Sequence, residues 1–154
     1  MNRGRPPIAD AEYSKQRRHY WALSRAIAER NFERINELIK KGGLNDPSNK
    51  FLKIAIQNGD YEMAEFLIDN GADVTIDGDS LLYWAVMLGE FDIAVLLLEN
   101  GADVNYIYDI VDDMVEEGYH VNSKKYRRLL DFAIYIGADD LADYLAENAG
   151  EEMG

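Results

Sequence analysis

The sequence has no cysteine and only two histidines, His19 and His120. The first absence excludes a disulfide framework, a Cys-ligated zinc or iron–sulfur centre and a cysteine nucleophile. With two histidines about a hundred positions apart, a His-rich metal site is excluded too. No glycine-rich phosphate loop is present. The longest apolar run, Leu81 to Leu88, is eight residues, far short of the ~20 that span a bilayer. No apolar region follows the basic, proline-bearing start at Met1 to Asp10, so no secretory leader is expected and the expected location is cytoplasmic. Positive charge is nearly missing from the middle of the chain. Residues 51–122 hold one base, Lys53, against 16 acids.

The rest of the composition fits one acidic, folded domain. The chain has 154 residues and a formal net charge of −13. A chain of this size buries roughly 70% of its unfolded surface and needs no staple. Hydrophobic residues at 47% and aromatics at 11% exclude a disordered acidic chain. The charge is uneven: residues 1–50 are net +5, residues 51–122 net −15 and residues 123–154 net −3. This balance argues against direct binding of nucleic acid or an anionic membrane. It favours a partner with a basic surface.

Two segments align without gaps, residues 55–74 with residues 85–104. Ala55 pairs with Ala85, Gly59 with Gly89, Ala64 with Ala94 and Asn70 with Asn100. Gly71-Ala-Asp-Val74 pairs with Gly101-Ala-Asp-Val104, at a period of 30. Weaker copies begin at Ala26 and Ala133. Each copy reads as a helix pair. Small Ala55 sits where two helices approach, and Gly59 and Gly89 stop the first helix in a left-handed cap. Asp60 or Glu90 opens the second helix, where an acid suits the dipole. Met63, Ala64, Phe66, Leu67 and Ile68 give that helix a wide apolar face. Gly71 and Gly101 end it.

These residues resemble the ankyrin repeat, most closely at Leu96-Leu-Leu-Glu-Asn100 and Gly101-Ala-Asp-Val-Asn105. The resemblance implies an all-α, ankyrin-type solenoid of about four helix-turn-helix repeats, near 22–49, 50–79, 80–105 and 127–150. Residues 1–21 form a basic N-terminal segment with a capping helix, for which Tyr20, Trp21 and Leu23 are the expected buried side. The family's Thr-Pro-Leu-His start is replaced by Lys50-Phe-Leu-Lys53, Ser80-Leu-Leu-Tyr83 and Arg128-Leu-Leu-Asp131. The period falls short of the usual ~33, so the hairpin fingers are shortened, the first to about 75–79. From Gly89 to Gly137 the spacing is 48, which is 18 beyond the local period. The excess is an insertion at 106–126. Ile107, Ile110, Val111, Met114 and Val115 recur there at helical spacing, and Gly118 ends the helix. Asp109, Asp112, Asp113, Glu116 and Glu117 take its other face.

No constellation points to catalysis, so the chain reads as a non-enzyme without cofactor or metal. Asp77-Gly-Asp79 lacks the continuing ligands of a calcium loop and reads as a hairpin tip. Asp73 and Asp103 belong to the structural turn of the resembled family. His19 lies in a basic helical stretch and is expected at the surface. Tyr61, Tyr135 and Tyr144 fall at core-edge positions.

The resemblance implies a protein-binding module whose first helices and fingers line the binding face. Carried over by position, that face holds Lys53, Gln57, Tyr83, Met87, Leu88, Asp131 and Tyr135, with Asp77 and Asp79 from the finger. The insertion adds Tyr106, Tyr108, Asp109, Asp112, Asp113, Glu116 and Glu117. The expected function is a small stand-alone acidic module that binds a basic protein as inhibitor or adaptor. An immunity or anti-defence protein of a bacterium or phage is one form of that role. The alternatives are a nucleic-acid mimic that occupies a DNA- or RNA-binding cleft, and a scaffold assembling as a homo-oligomer.

Overall fold

The structure is a computed structural model and describes residues 8–44, 50–75, 80–118 and 123–148. Among these residues it is all helical. The helices are α1 (Ile8–Ala28), α2 (Phe32–Gly42), α3 (Lys50–Gln57), α4 (Tyr61–Asp69), α5 (Ser80–Leu88), α6 (Phe91–Glu99), α7 (Asn105–Glu116), α8 (Lys124–Tyr135) and α9 (Asp139–Glu147). They pair as α1–α2, α3–α4, α5–α6 and α8–α9, and α7 lies in the chain between the third and fourth pairs. The first helices stand in one row, α1 against α3, α3 against α5 and α5 against α8. Behind them α4 packs on α6.

One turn is used in all four pairs. The carbonyls of Ala26, Ala55, Ala85 and Ala133 accept from the amides of Asn31, Asp60, Glu90 and Ala138. A tighter bond lies inside each, for example Gly59 N to Ile56 O at 3.0 Å. This double bond pattern closes a helix whose next residue is left-handed. Gly59, Gly89 and Gly137 meet that demand at φ +62, +77 and +66. The first repeat meets it with Arg30 at φ +52, the one non-glycine residue in that region among the described residues. The aligned alanines are therefore fixed twice. Their carbonyls close the turn, and their methyl groups lie buried between helices.

The second helices end the same way, with Ala72 N bonded to Leu67 O and Ala102 N to Leu97 O. Beyond them Asp73 accepts from both the amide and the hydroxyl of Thr75. Those two bonds hold its carboxyl below the usual range. Asp103 likewise accepts from Asn105 N at 2.9 Å. Both aspartates thus do the turn-building work the resemblance assigns them. The finger tip itself, with Asp77 and Asp79, lies outside the described residues, as do Tyr119 and His120.

The core is one continuous cluster from Leu23 and Ile27 in α1 to Leu141 and Leu145 in α9. Met63, Ala64 and Leu67 are buried as expected, whereas Phe66 and Ile68 are half-buried. In α7, Ile107, Val111 and Met114 are buried, Ile110 is half-buried and Val115 faces out. Tyr126 of α8 is buried and donates its hydroxyl hydrogen bond to Leu145 O of α9.

Both ends of the described stack expose apolar side chains. Ile134 is 64% exposed, whereas Ile27, Ile56 and Val86 at the matching positions are buried. A following repeat would cover that position, and none of the described residues does. At the other end, the expected buried side of the capping helix needs a correction. Leu23 is buried and Tyr20 half-buried, but Trp21 is 61% exposed. Tyr20 turns inward to stack on Phe51, with centroids 5.0 Å apart. The neighbouring position is rotated about 100° round the helix, which turns Trp21 away from α3. His19 is also less exposed than expected. Its Nε2 lies 2.9 Å from Gly43 O and ties α1 to the end of α2.

Candidate protein-binding surface

The surface is built on α5, the most apolar first helix. Its buried side is Leu81, Leu82, Ala85 and Val86. Tyr83, Trp84, Met87 and Leu88 are half-buried or exposed. Trp84 is 39% and Leu88 42% exposed. Lys53 of α3 holds its Nζ 5.3 Å from the centre of the Trp84 ring. Its charge therefore rests on an aromatic face. Gln57 is exposed one turn further on. Arg128 of α8 donates to the Met87 carbonyl and closes the far side.

The insertion borders this stripe. Tyr106, Ile110, Asp113, Met114 and Glu117 of the α7 segment face Tyr83 and Lys125 across a groove of about 250 Å³. Asp109, Asp112, Asp113, Glu116 and Glu117 are all exposed, and α7 carries no base. Two α7 side chains turn to α9 instead. Tyr108 packs on Tyr144 with centroids 4.7 Å apart, and Tyr144 donates to Asp112. That bond to a carboxylate pushes the Tyr144 hydroxyl up to about 12.

The structure thus gathers Tyr83, Tyr106, Asp113 and Glu117 round one groove and places Lys53, Gln57, Met87 and Leu88 on the adjoining helices. Asp131 is exposed on α8. Tyr135 stands apart from the groove. It donates to Asp92 and packs on Phe91 with centroids 5.6 Å apart. Trp84 and Lys125 were missing from the positions carried over by resemblance. The equivalents of Trp84 are exposed Arg25, half-buried Ile54 and buried Phe132, so its repeat position gave no consistent sign of exposure. No group of three or more histidines, aspartates or glutamates is placed to hold a metal among the described residues. No described helix is long and apolar enough to cross a membrane.

The family model for ankyrin repeats, in three copies, matches residues 23–108, more than half of the chain. The chain belongs to the ankyrin-repeat family. No curated protein matches the sequence. The matched span runs from Leu23, near the end of α1, to Tyr108 in α7 and takes in α2 to α6 whole. Ankyrin repeats are a protein–protein interaction fold, and the helix rows described here are their architecture. The pair α8–α9 continues the stack beyond the match, with the same Ala133 turn.

Proposed function

We propose that this ankyrin chain is a small acidic binding module. It takes a basic protein surface against α7 and the α5 stripe, acting as an inhibitor or adaptor. The observation that carries the reading is the α7 face. Five exposed carboxylates lie beside a tyrosine-lined groove and a half-apolar stripe. Aromatic anchors within an acidic surround suit a partner that brings cations to the rim and apolar side chains to the centre. The net charge of −15 over residues 51–122 accelerates encounter with such a partner and makes it salt-sensitive. The same charge disfavours direct contact with nucleic acid.

The test is a pull-down from lysate of the source cell at low and high salt, with nuclease controls. It is repeated with Asp109, Asp113, Glu116 and Glu117 changed together to Asn and Gln. Asp112 is left intact because it holds Tyr144. A stoichiometric protein lost at high salt and lost from the variant is the expected result. A partner retained equally by the variant removes α7 from the interface. A partner that nucleic acid displaces turns the reading to mimicry.

A further inference from the structure

Successive repeat junctions reuse one arrangement, and one junction lacks a part. At the first junction Arg30 lies over Phe32, its Cζ 5.6 Å from the ring centre. Its guanidinium crosses to the next repeat, with Nε 2.6 Å from Asp60 Oδ2 and Nη2 2.7 Å from Glu62 Oε2. The first helix turn, the aromatic ring and two carboxylates together hold one arginine.

Moved one repeat along, Arg30, Phe32, Asp60 and Glu62 become Gly59, Tyr61, Glu90 and Asp92. The ring and both carboxylates remain, and the arginine is gone. The Glu90 carboxylate lies over the bare Gly59, since a Cβ there would stand 2.7 Å from Glu90 Oε1. Tyr61 is 41% exposed. It walls a cavity of about 300 Å³ with Asp92, Val95, Leu96, Glu99 and Tyr135. Leu96 explains the space. It stands where Phe66 stands one repeat earlier, and Phe66 fills its own junction by packing edge-on to Phe32, with centroids 5.2 Å apart. None of Glu90, Asp92 and Glu99 forms an ion pair with another described residue, and Asp92 accepts one hydrogen bond, from Tyr135 on the cavity wall.

We propose that this second junction is an arginine slot. A guanidinium from a partner protein lies across Tyr61 and is held by Asp92 and Glu99, which line the cavity with it, much as Asp60 and Glu62 hold Arg30 over Phe32 one repeat earlier. Charge complementarity selects a cation. The flat ring and the carboxylates beside it select the planar, forked guanidinium over an ammonium. The slot lies along α6, separate from the α7 groove, and does not depend on the α7 reading.

The test is a titration of the isotope-labelled full chain with the blocked tripeptide Gly-Arg-Gly, followed by nuclear magnetic resonance. The same peptide with citrulline, which keeps the shape and loses the charge, is the control. Saturable shifts at the Tyr61 ring and the Asp92 and Glu99 side chains, given by arginine and not by citrulline, are expected. Gly59→Arg supplies the guanidinium in cis at a backbone angle close to that of Arg30 and should abolish them. Glu99→Gln leaves the turn untouched and should weaken the peptide about threefold. Equal response to citrulline, or no effect of Glu99→Gln, overturns the slot. Shifts confined to α7 overturn it as well, while leaving the α7 reading standing. Self-association that Gly59→Arg abolishes would make the occupant a second copy and overturn the foreign partner.

Discussion

Tyr144 of α9 donates its hydroxyl hydrogen bond to Asp112 of α7, with its ring against Tyr108. An inserted helix is thereby fastened to the last repeat by a polar and an aromatic contact. The bond also sets a titration. Asp112 favours the protonated phenol, so the hydroxyl rises from 10.0 to about 12. A folded value above the unfolded one contributes stability that is complete below about 10 and lost as pH climbs to about 12. In a tyrosinate absorbance titration of the folded chain, Tyr144→Phe should remove a late step. Asp112→Asn should move that step to lower pH. A titration that Asp112→Asn leaves unmoved would show that the carboxylate is not its cause.

Tyr126 tests the junction inside the last repeat. Its ring is buried and its hydroxyl reaches Leu145 O, near the end of α9. Burial raises the phenol and keeps it protonated. Tyr126→Phe keeps the packing and strands a carbonyl, which costs about 1–2 kcal/mol in denaturant unfolding. An unchanged midpoint would mean that water replaces the bond without loss.

The turn glycines give a cleaner number. Gly71 sits at φ +98, and a Cβ there would meet nothing within 4 Å. The first atom that Gly71→Val adds meets no neighbour, so backbone strain leads its cost. For a β-branched residue in that region the loss is about 1–3 kcal/mol. Thermal unfolding should fall by several degrees. An unchanged melting temperature would show that the turn reshapes freely.

Much of this was legible in the sequence, because repeated residues report repeated physics. Ala55, Gly59, Asp60 and Gly71 each solve a local backbone problem, so spacing alone reveals the helix pairs and their turns. The surplus spacing between Gly89 and Gly137 left room for a further helix, and α7 stands there. Exposure at the ends was not legible, since it depends on what stacks next. Ile134 carries the same apolar type as Ile27 and Ile56, yet only Ile134 is open. Trp21 misled for a related reason. An aromatic beside Tyr20 reads as core until the helix phase is fixed by the Tyr20–Phe51 contact. The arginine slot escaped as well, because it arises from a residue missing at one repeat and present at another.

Asp60 and Glu90 open equivalent helices and should differ sharply on removal. Asp60 accepts from Met63 N at 3.1 Å and from Arg30, with its side chain 15% exposed. It caps α4 and clamps the neighbouring repeat at once. Glu90 makes no side-chain cap bond to α6, because its longer chain carries the carboxylate out over Gly59. Asp60→Ala loses a cap worth about 1 kcal/mol and leaves Arg30 only Glu62. Glu90→Ala loses neither a cap nor an ion pair with a described residue. Denaturant unfolding should place Asp60→Ala about 1–2 kcal/mol below the parent and Glu90→Ala within ~0.5 kcal/mol of it. Raising the salt should narrow the Asp60 gap by screening Arg30 while leaving the cap in place. Equal losses at both positions would mean that the two junctions are built alike, and that the vacant place over Tyr61 has no counterpart in the filled one over Phe32.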